Sequence, residues 1–163
     1  YLGYKIGKIG NEEGYTDDRV VNYPAPKRLE KDRFYLVGEW KIRAQYVRYT
    51  GDPGKGKLLM NYAASSVNLV IGQDSSGLVH PGEHDPFRVY VYRDGLPVPG
   101  RDRPSGMRSD ESGRTHITVT NPGMYDIVDG KKYGRHLLTL EPYSDAFAAY
   151  SFTFGTACDT TGS

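Results

Sequence analysis

At 163 residues the chain is long enough for one domain that buries a core without disulfides or a structural metal. Lys and Arg number 21 against 20 Asp and Glu, a formal charge of +1 with the basic residues scattered, which argues against a nucleic-acid partner. With 37% hydrophobic and 25% charged residues and a mean hydropathy of −0.61, the sequence contains neither a membrane-inserting span nor a disordered bias.

Fourteen Tyr, 20 Gly and 10 Pro combine strand-compatible aromatics with turn chemistry, and predict an all-β fold. In chain order, residues 1–33 are polar, punctuated by Gly3, Gly7, Gly10, Gly14 and Tyr23-Pro24-Ala25-Pro26. They read as an N-terminal arm or linker packed across the sandwich or leading in from another domain. The opening at Tyr1, with no basic stretch feeding an apolar run, reads as an excised or processed segment. Strand-like runs follow at Phe34 to Val37, Trp40 to Tyr49, Lys57 to Ala63, Ser66 to Ile71, Phe87 to Tyr92, Thr115 to Thr120, Met124 to Val128, Arg135 to Glu141 and Ala148 to Phe154. Gly51-Asp52-Pro53-Gly54, Asp94-Gly95, Asn121-Pro122-Gly123 and Asp129-Gly130 are turn signals between them. No window of helical length keeps an apolar stripe, so residues 34–155 predict an antiparallel two-sheet sandwich and residues 156–163 a flexible tail.

Alternation within strands predicts faces. Phe87, Val89 and Val91 point inward, and Arg88, Tyr90 and Tyr92 point out. Val67, Leu69 and Ile71 alternate with Asn68 and Val70, and Ile117 and Val119 with His116 and Thr118. Phe87, Val89, Val91, Leu69, Ile71 and Phe152 are the expected core, with Trp40 packed beside Ile42.

Chemistry-bearing groups are sparse. His80, His84 and Asp85, with Glu83 between them, are ligand types that zinc accepts, but Pro81 and Gly82 break the helix that would align the two imidazoles, and a solvated loop is the commoner meaning. No Gly-x-Ser-x-Gly elbow accompanies the four His, so a catalytic triad is unsupported. The acidic pairs Glu12-Glu13, Asp17-Asp18 and Asp110-Glu111 sit in polar, turn-rich stretches, as caps and turns do, and no glycosidase pair is read from them. Gly7 to Gly14 and Gly51 to Gly56 lack the strand-loop-helix context of a phosphate cradle. A single cysteine, Cys158, excludes an internal disulfide and a Cys-x-x-Cys pair. No cofactor is implied. The surface set with a binding logic is Arg88, Tyr90 and Tyr92, spaced about 7 Å apart along one strand face, with Arg93, Asp94 and Asp126 as adjoining hydrogen-bonding groups. Aromatic faces stack on pyranose C–H surfaces, but cross-strand tyrosines also stabilise a sheet that binds nothing.

Read together, Tyr1-Leu2-Gly3-Tyr4, Gly38-Glu39-Trp40, Val67 to Gly72, Val89 to Pro97, Met124 to Val128 and Ala149 to Gly155 resemble the C-terminal domain that follows the thioredoxin-like domain in DipZ-type thiol-disulfide proteins. The resemblance runs through most of the chain and rests on the order and spacing of these segments. It implies a jelly-roll β-sandwich similar to carbohydrate-binding modules. It also implies an extracytoplasmic, membrane-anchored parent in which another domain carries the catalytic dithiol, in some cases beside a CcdA-like domain linked to cytochrome c biogenesis and redox homeostasis. Two positions depart from it: Ser65 follows Ala64 where a basic residue is expected, and Cys158 with a polar tail follows the expected end near Gly155.

Three roles are therefore weighed. A carbohydrate-binding module needs exposed aromatics and hydrogen-bonding groups around a concave face. A module that docks on the upstream thioredoxin-like domain of the same parent chain needs an apolar or aromatic patch beside Tyr1 to Tyr4. A hydrolase needs clustered acid, base or nucleophile groups, which the sequence does not supply. The expectation is a non-catalytic accessory domain in one of the first two roles.

Overall fold

The computed structural model describes residues 2–3, 8–15, 18–72 and 85–156. These residues form strands β1 (Val20–Tyr23), β2 (Phe34–Ile42), β3 (Val47–Tyr49), β4 (Lys57–Gly72), β5 (Phe87–Arg93), β6 (Leu96–Pro97), β7 (Arg108–Ser109), β8 (Thr115–Val119), β9 (Gly123–Pro142) and β10 (Ala148–Gly155). One 3-10 turn, Gly100–Asp102, is present, and there is no α-helix among the described residues. Every strand pair is antiparallel.

The all-β antiparallel class holds, but the strands run longer than their sequence signals. Lys57 to Ala63 and Ser66 to Ile71 are one 16-residue strand, and Met124 to Val128 and Arg135 to Glu141 are one 20-residue strand. The expected turn at Asp129-Gly130 is instead a bulge. Ser66 faces Asp129 while Ala64 faces Gly134, so a two-residue step in β4 opposes a five-residue step in β9 and three residues are extra. Such an insertion bends a strand without ending it. Gly130 is required there, because a Cβ would come within 2.3 Å of the Ser65 carbonyl oxygen. Ser65, where a basic residue is expected, is itself buried and donates to the Gly155 carbonyl at 2.9 Å. Trp40 to Tyr49, expected as one strand, is a hairpin: the chain turns at residues 43–46, where Arg43 N–H donates to the Tyr46 carbonyl at 2.8 Å.

The bends join what alternation predicts as two sheets. Residues 34–37 of β2 pair with β4 and residues 40–42 with β3; β3 pairs with β10, and β10 pairs with the far half of β4. These four strands close a hydrogen-bonded ring, and the separate sheets of a sandwich become one continuous sheet folded over a single core. The expected core residues Phe87, Val89, Val91, Leu69 and Ile71 are buried. Trp40 is fully buried against Tyr49, with ring centroids 5.1 Å apart, and against the edge of Phe147, and its indole N–H donates to the Val37 carbonyl at 2.8 Å. Phe152 differs: it is only half-buried, because the inner face opens at this end of β10, where Phe152 stacks on Phe154 at 5.8 Å.

The segment before residue 34 is built into the sheet. β1 pairs with β2 along Val20 to Tyr23, and Ile9 bridges Phe34. The Asn11 side chain acts as one more strand residue, donating to the Leu36 carbonyl at 2.9 Å and accepting from the Leu36 N–H at 2.8 Å. Leu2 and Tyr23 are buried in the core. Desolvation pushes the Tyr23 hydroxyl up to about 12, aided by Glu13 and Tyr15.

Candidate functional site

A cleft of about 500 Å³ opens on the outer side of β5 and β8, walled by the β7–β8 hairpin and lined by Arg88, Tyr90, Ser109 to Ser112, Arg114 and His116. The hairpin owes its shape to Asp110. One carboxylate oxygen accepts the N–H groups of Ser112 and Arg114, both at 2.9 Å, and the other accepts Arg114 Nε at 2.9 Å. Burial alone would raise the Asp110 carboxyl; the Arg114 N–H and guanidinium and the Ser112 N–H outweigh it and hold it below 3.8. The Tyr143 hydroxyl at 3.4 Å and the Asp110 carboxylate keep Arg114 above its ordinary value, against some desolvation.

Tyr90 is the floor of this cleft and not an exposed platform. It is 3% exposed, with the Arg114 guanidinium 4.3 Å from the ring centroid, Tyr143 at 4.8 Å and His116 at 5.3 Å. Arg88 donates to its hydroxyl at 3.1 Å. The alternation of β5 is right about direction and wrong about exposure, since the outer face is covered by the hairpin and by Tyr143, whose N–H is tied to the Arg88 carbonyl at 3.0 Å. With both the guanidinium and Tyr143 against it, the ring offers no open face for a sugar to stack on. His116, expected on the outer polar face, is 5% exposed and its Nδ1 has no partner. Desolvation lowers its pKa, with Arg88, Arg108 and Arg114 acting in the same direction and Asp110 against them.

The other expected binding residues are spread over the domain. Tyr92 lies one strand step past Tyr90, half-buried; desolvation raises its hydroxyl, Glu141 adds to the rise and Arg114 opposes it. Arg93 points to the opposite side of β5, where it pairs with the buried carboxylate of Asp102 at 2.8 Å. Tyr62 lies beside this pair, its hydroxyl pushed up to about 12 chiefly by desolvation. Asp94 occupies the β5–β6 turn with φ 55°, followed by Gly95 at φ 79°, the backbone of a type I′ hairpin. Its carboxylate accepts the Leu137 N–H at 2.9 Å and lies 2.6 Å from His136 Nδ1. Burial would raise Asp94, but these two partners hold it below 3.8. Asp126 stands opposite Asn68, whose side-chain amide donates to it at 2.8 Å, in the half of β9 that does not pair with β5. Of the six, Arg88 and Tyr90 line the cleft, Tyr92 adjoins it, and Arg93, Asp94 and Asp126 serve other parts of the sheet.

His80 and His84 lie outside the described residues, as do Tyr1, Tyr4 and Cys158. Asp85 is exposed just before β5, and no cluster of three or more metal-ligating side chains occurs among the described residues.

A second feature lies where β10 passes the start of the chain. Leu2, Phe34, Met60, Phe152 and Phe154 line an apolar groove of about 180 Å³, with Lys8 and Asp32 at its rim. Phe154 is 37% exposed and stacks on Tyr62 at 5.6 Å. The Leu2 N–H donates to the Tyr150 carbonyl at 2.9 Å, which fastens the entering chain to the strand that carries both phenylalanines.

The bent strands, the ring of pairings and the single core define an antiparallel all-β domain. Within that class, the family model described as the thioredoxin-like C-terminal domain matches residues 1–155, and the chain belongs to that family. Comparison with curated proteins returns no match.

Proposed function

We propose that this chain is a non-catalytic accessory domain of an extracytoplasmic, DipZ-type thioredoxin-like protein, and that it docks on the upstream redox domain of its own parent. The observation that carries the docking role is the fastening of Leu2 to Tyr150 beside the Phe152–Phe154 groove. A domain joined before Leu2 arrives next to partly exposed aromatic surface, and covering that surface stabilises the contact by about 25 cal/mol per Å² removed from water. At the rim Lys8 supplies a positive charge to set orientation, while the Asp32 carboxylate is already paired with Arg135 at 3.4 Å. The family description, a C-terminal domain of thioredoxin-like proteins, agrees with this arrangement. A single thiol cannot form a mixed disulfide and resolve it within the chain, so the dithiol chemistry belongs elsewhere in the parent.

Hydrogen exchange tests the docking role. In the intact parent the amides of residues 150–156 and 34–36 exchange more slowly than in the isolated chain, and Phe154→Asp removes the difference. Equal exchange in both proteins contradicts it.

A second role, carbohydrate recognition, is favoured by the cleft, which gathers the donors of Arg88, the hydroxyls of Ser109 and Ser112 and the carboxylate of Glu111 within one concave surface. It predicts that saccharide binding is lost when Ser109 and Ser112 are replaced by bulky apolar residues. No saccharide binding at any concentration tested would remove it.

A further inference from the structure

We propose that the cleft between β5 and the β7–β8 hairpin recognises an acidic saccharide of the hexuronate class, whose carboxylate is held by Arg88 and whose hydroxyls are read by Ser109, Glu111 and Ser112. The inference rests on the carbohydrate reading of this cleft and adds the charge of its ligand.

The assignment follows from which groups are already used. Asp110 accepts three N–H bonds within its own hairpin, and Arg114 is committed to Asp110, Tyr143 and the Tyr90 ring. These two residues are wall and floor. Arg88 differs: its side chain is bonded to the Tyr90 hydroxyl, and among the described residues no carboxylate pairs with it. A guanidinium carries five donors in a planar fork that fits a carboxylate in two parallel bonds, and the Tyr90 hydroxyl occupies one of them. Next to the cleft, Arg108 bonds the carbonyls of Ser105 and Met107, and among the described residues no carboxylate pairs with it. Around Arg88, Arg108 and Arg114 stand three carboxylates: Asp110, which is consumed by Arg114, Glu111 in the cleft, and Glu141, which pairs across the sheet with Tyr90. At His116 desolvation disfavours the protonated form most, with Arg88, Arg108 and Arg114 acting in the same direction and Asp110 against them.

The same lining limits the kind of anion. Glu111 shares the cleft, and its carboxylate repels a doubly charged phosphate more than a singly charged group, while accepting bonds from neutral hydroxyls. A ligand with one negative charge and several hydroxyls satisfies Arg88, Glu111 and both serines together. Because the Tyr90 face is covered, recognition depends on these polar bonds and weakens with salt.

Calorimetric titration of the 163-residue chain with trigalacturonate, its methyl ester and a triglutamate peptide tests the proposal. Expected is binding of trigalacturonate about tenfold tighter than of the ester, the worth of one charge-assisted contact, with the preference lost in Arg88→Gln. Should Arg88→Gln fail to fold, Arg108→Gln on the exposed edge strand reports through a smaller loss of the same preference. Equal binding of acid and ester overturns the charge assignment and leaves the carbohydrate reading standing. Binding of triglutamate as tight as trigalacturonate, or of no saccharide at all, overturns both.

Discussion

The Arg114 guanidinium lies 4.3 Å over the Tyr90 ring and is held there by Asp110 at 2.9 Å, so a residue with an outward alternation pattern is buried in a polar cluster on the outer side of the sheet. This reverses the ranking that exposure alone gives. Val89→Ala, under the sheet, costs on the order of 1–3 kcal/mol, whereas Tyr90→Ala removes an aromatic packed by four partners and costs about 3 kcal/mol or more. Denaturant titration of the two variants measures both. A Tyr90→Ala cost well below that of Val89→Ala would mean that the hairpin does not cover the ring in solution.

Arg114→Met separates cover from charge. It keeps a long apolar stem over Tyr90 but releases the Asp110 carboxylate, so Asp110 loses one of its three stabilising bonds and its pKa, followed by carboxyl chemical shifts, rises toward 3.8. An unchanged Asp110 titration contradicts the geometry.

Acid should destabilise the domain in two steps. His116 has a folded pKa below 6.5, so the unfolded chain takes the proton more readily; its contribution is complete above 6.5 and is lost as pH falls through the folded value. Asp94 and Asp110 have folded values below 3.8, so their contributions are complete above 3.8 and are lost as pH falls further. Melting temperature against pH shows both steps, and His116→Gln flattens the upper one only. A first step that survives His116→Gln belongs to another group.

The β9 bulge rests on Gly130. Gly130→Ala places a methyl against the Ser65 carbonyl and costs on the order of 1–3 kcal/mol, while Gly123→Ala, with open space around it, costs less than about 1 kcal/mol. Thermal melts of the two variants make the comparison. Equal costs would place the bulge elsewhere.

The fold class was legible because period-two alternation and turn dipeptides are local. Phe87-Arg88-Val89, Val67-Asn68-Leu69 and Asp94-Gly95 show strands and a hairpin without reference to the rest of the chain. The merging of strands was not, because Asp129-Gly130 carries the same turn chemistry in a bulge as in a loop, and only pairing with Ser65 decides between them. β1 was hidden in a polar segment, since Val20-Val21 is short and the stretch 24–33 that joins it to β2 is too long to carry a tight-hairpin signature. At the cleft, Arg88 and Tyr90 were found from their strand. Asp110 and Arg114 were not, although Asp110-Glu111-Ser112-Gly113 has the pattern of an Asx turn. What that turn covers depends on the β7–β8 register and on Tyr143, more than 50 residues downstream of Tyr90 by number, which no local pattern reports.

The measurement that tests the docking role most directly is NMR relaxation of the intact parent, comparing rotational correlation times of the two domains. Docking through the Leu2–Phe154 groove predicts one shared correlation time that separates into two in Phe154→Asp. Two independent times in the unaltered protein would contradict it.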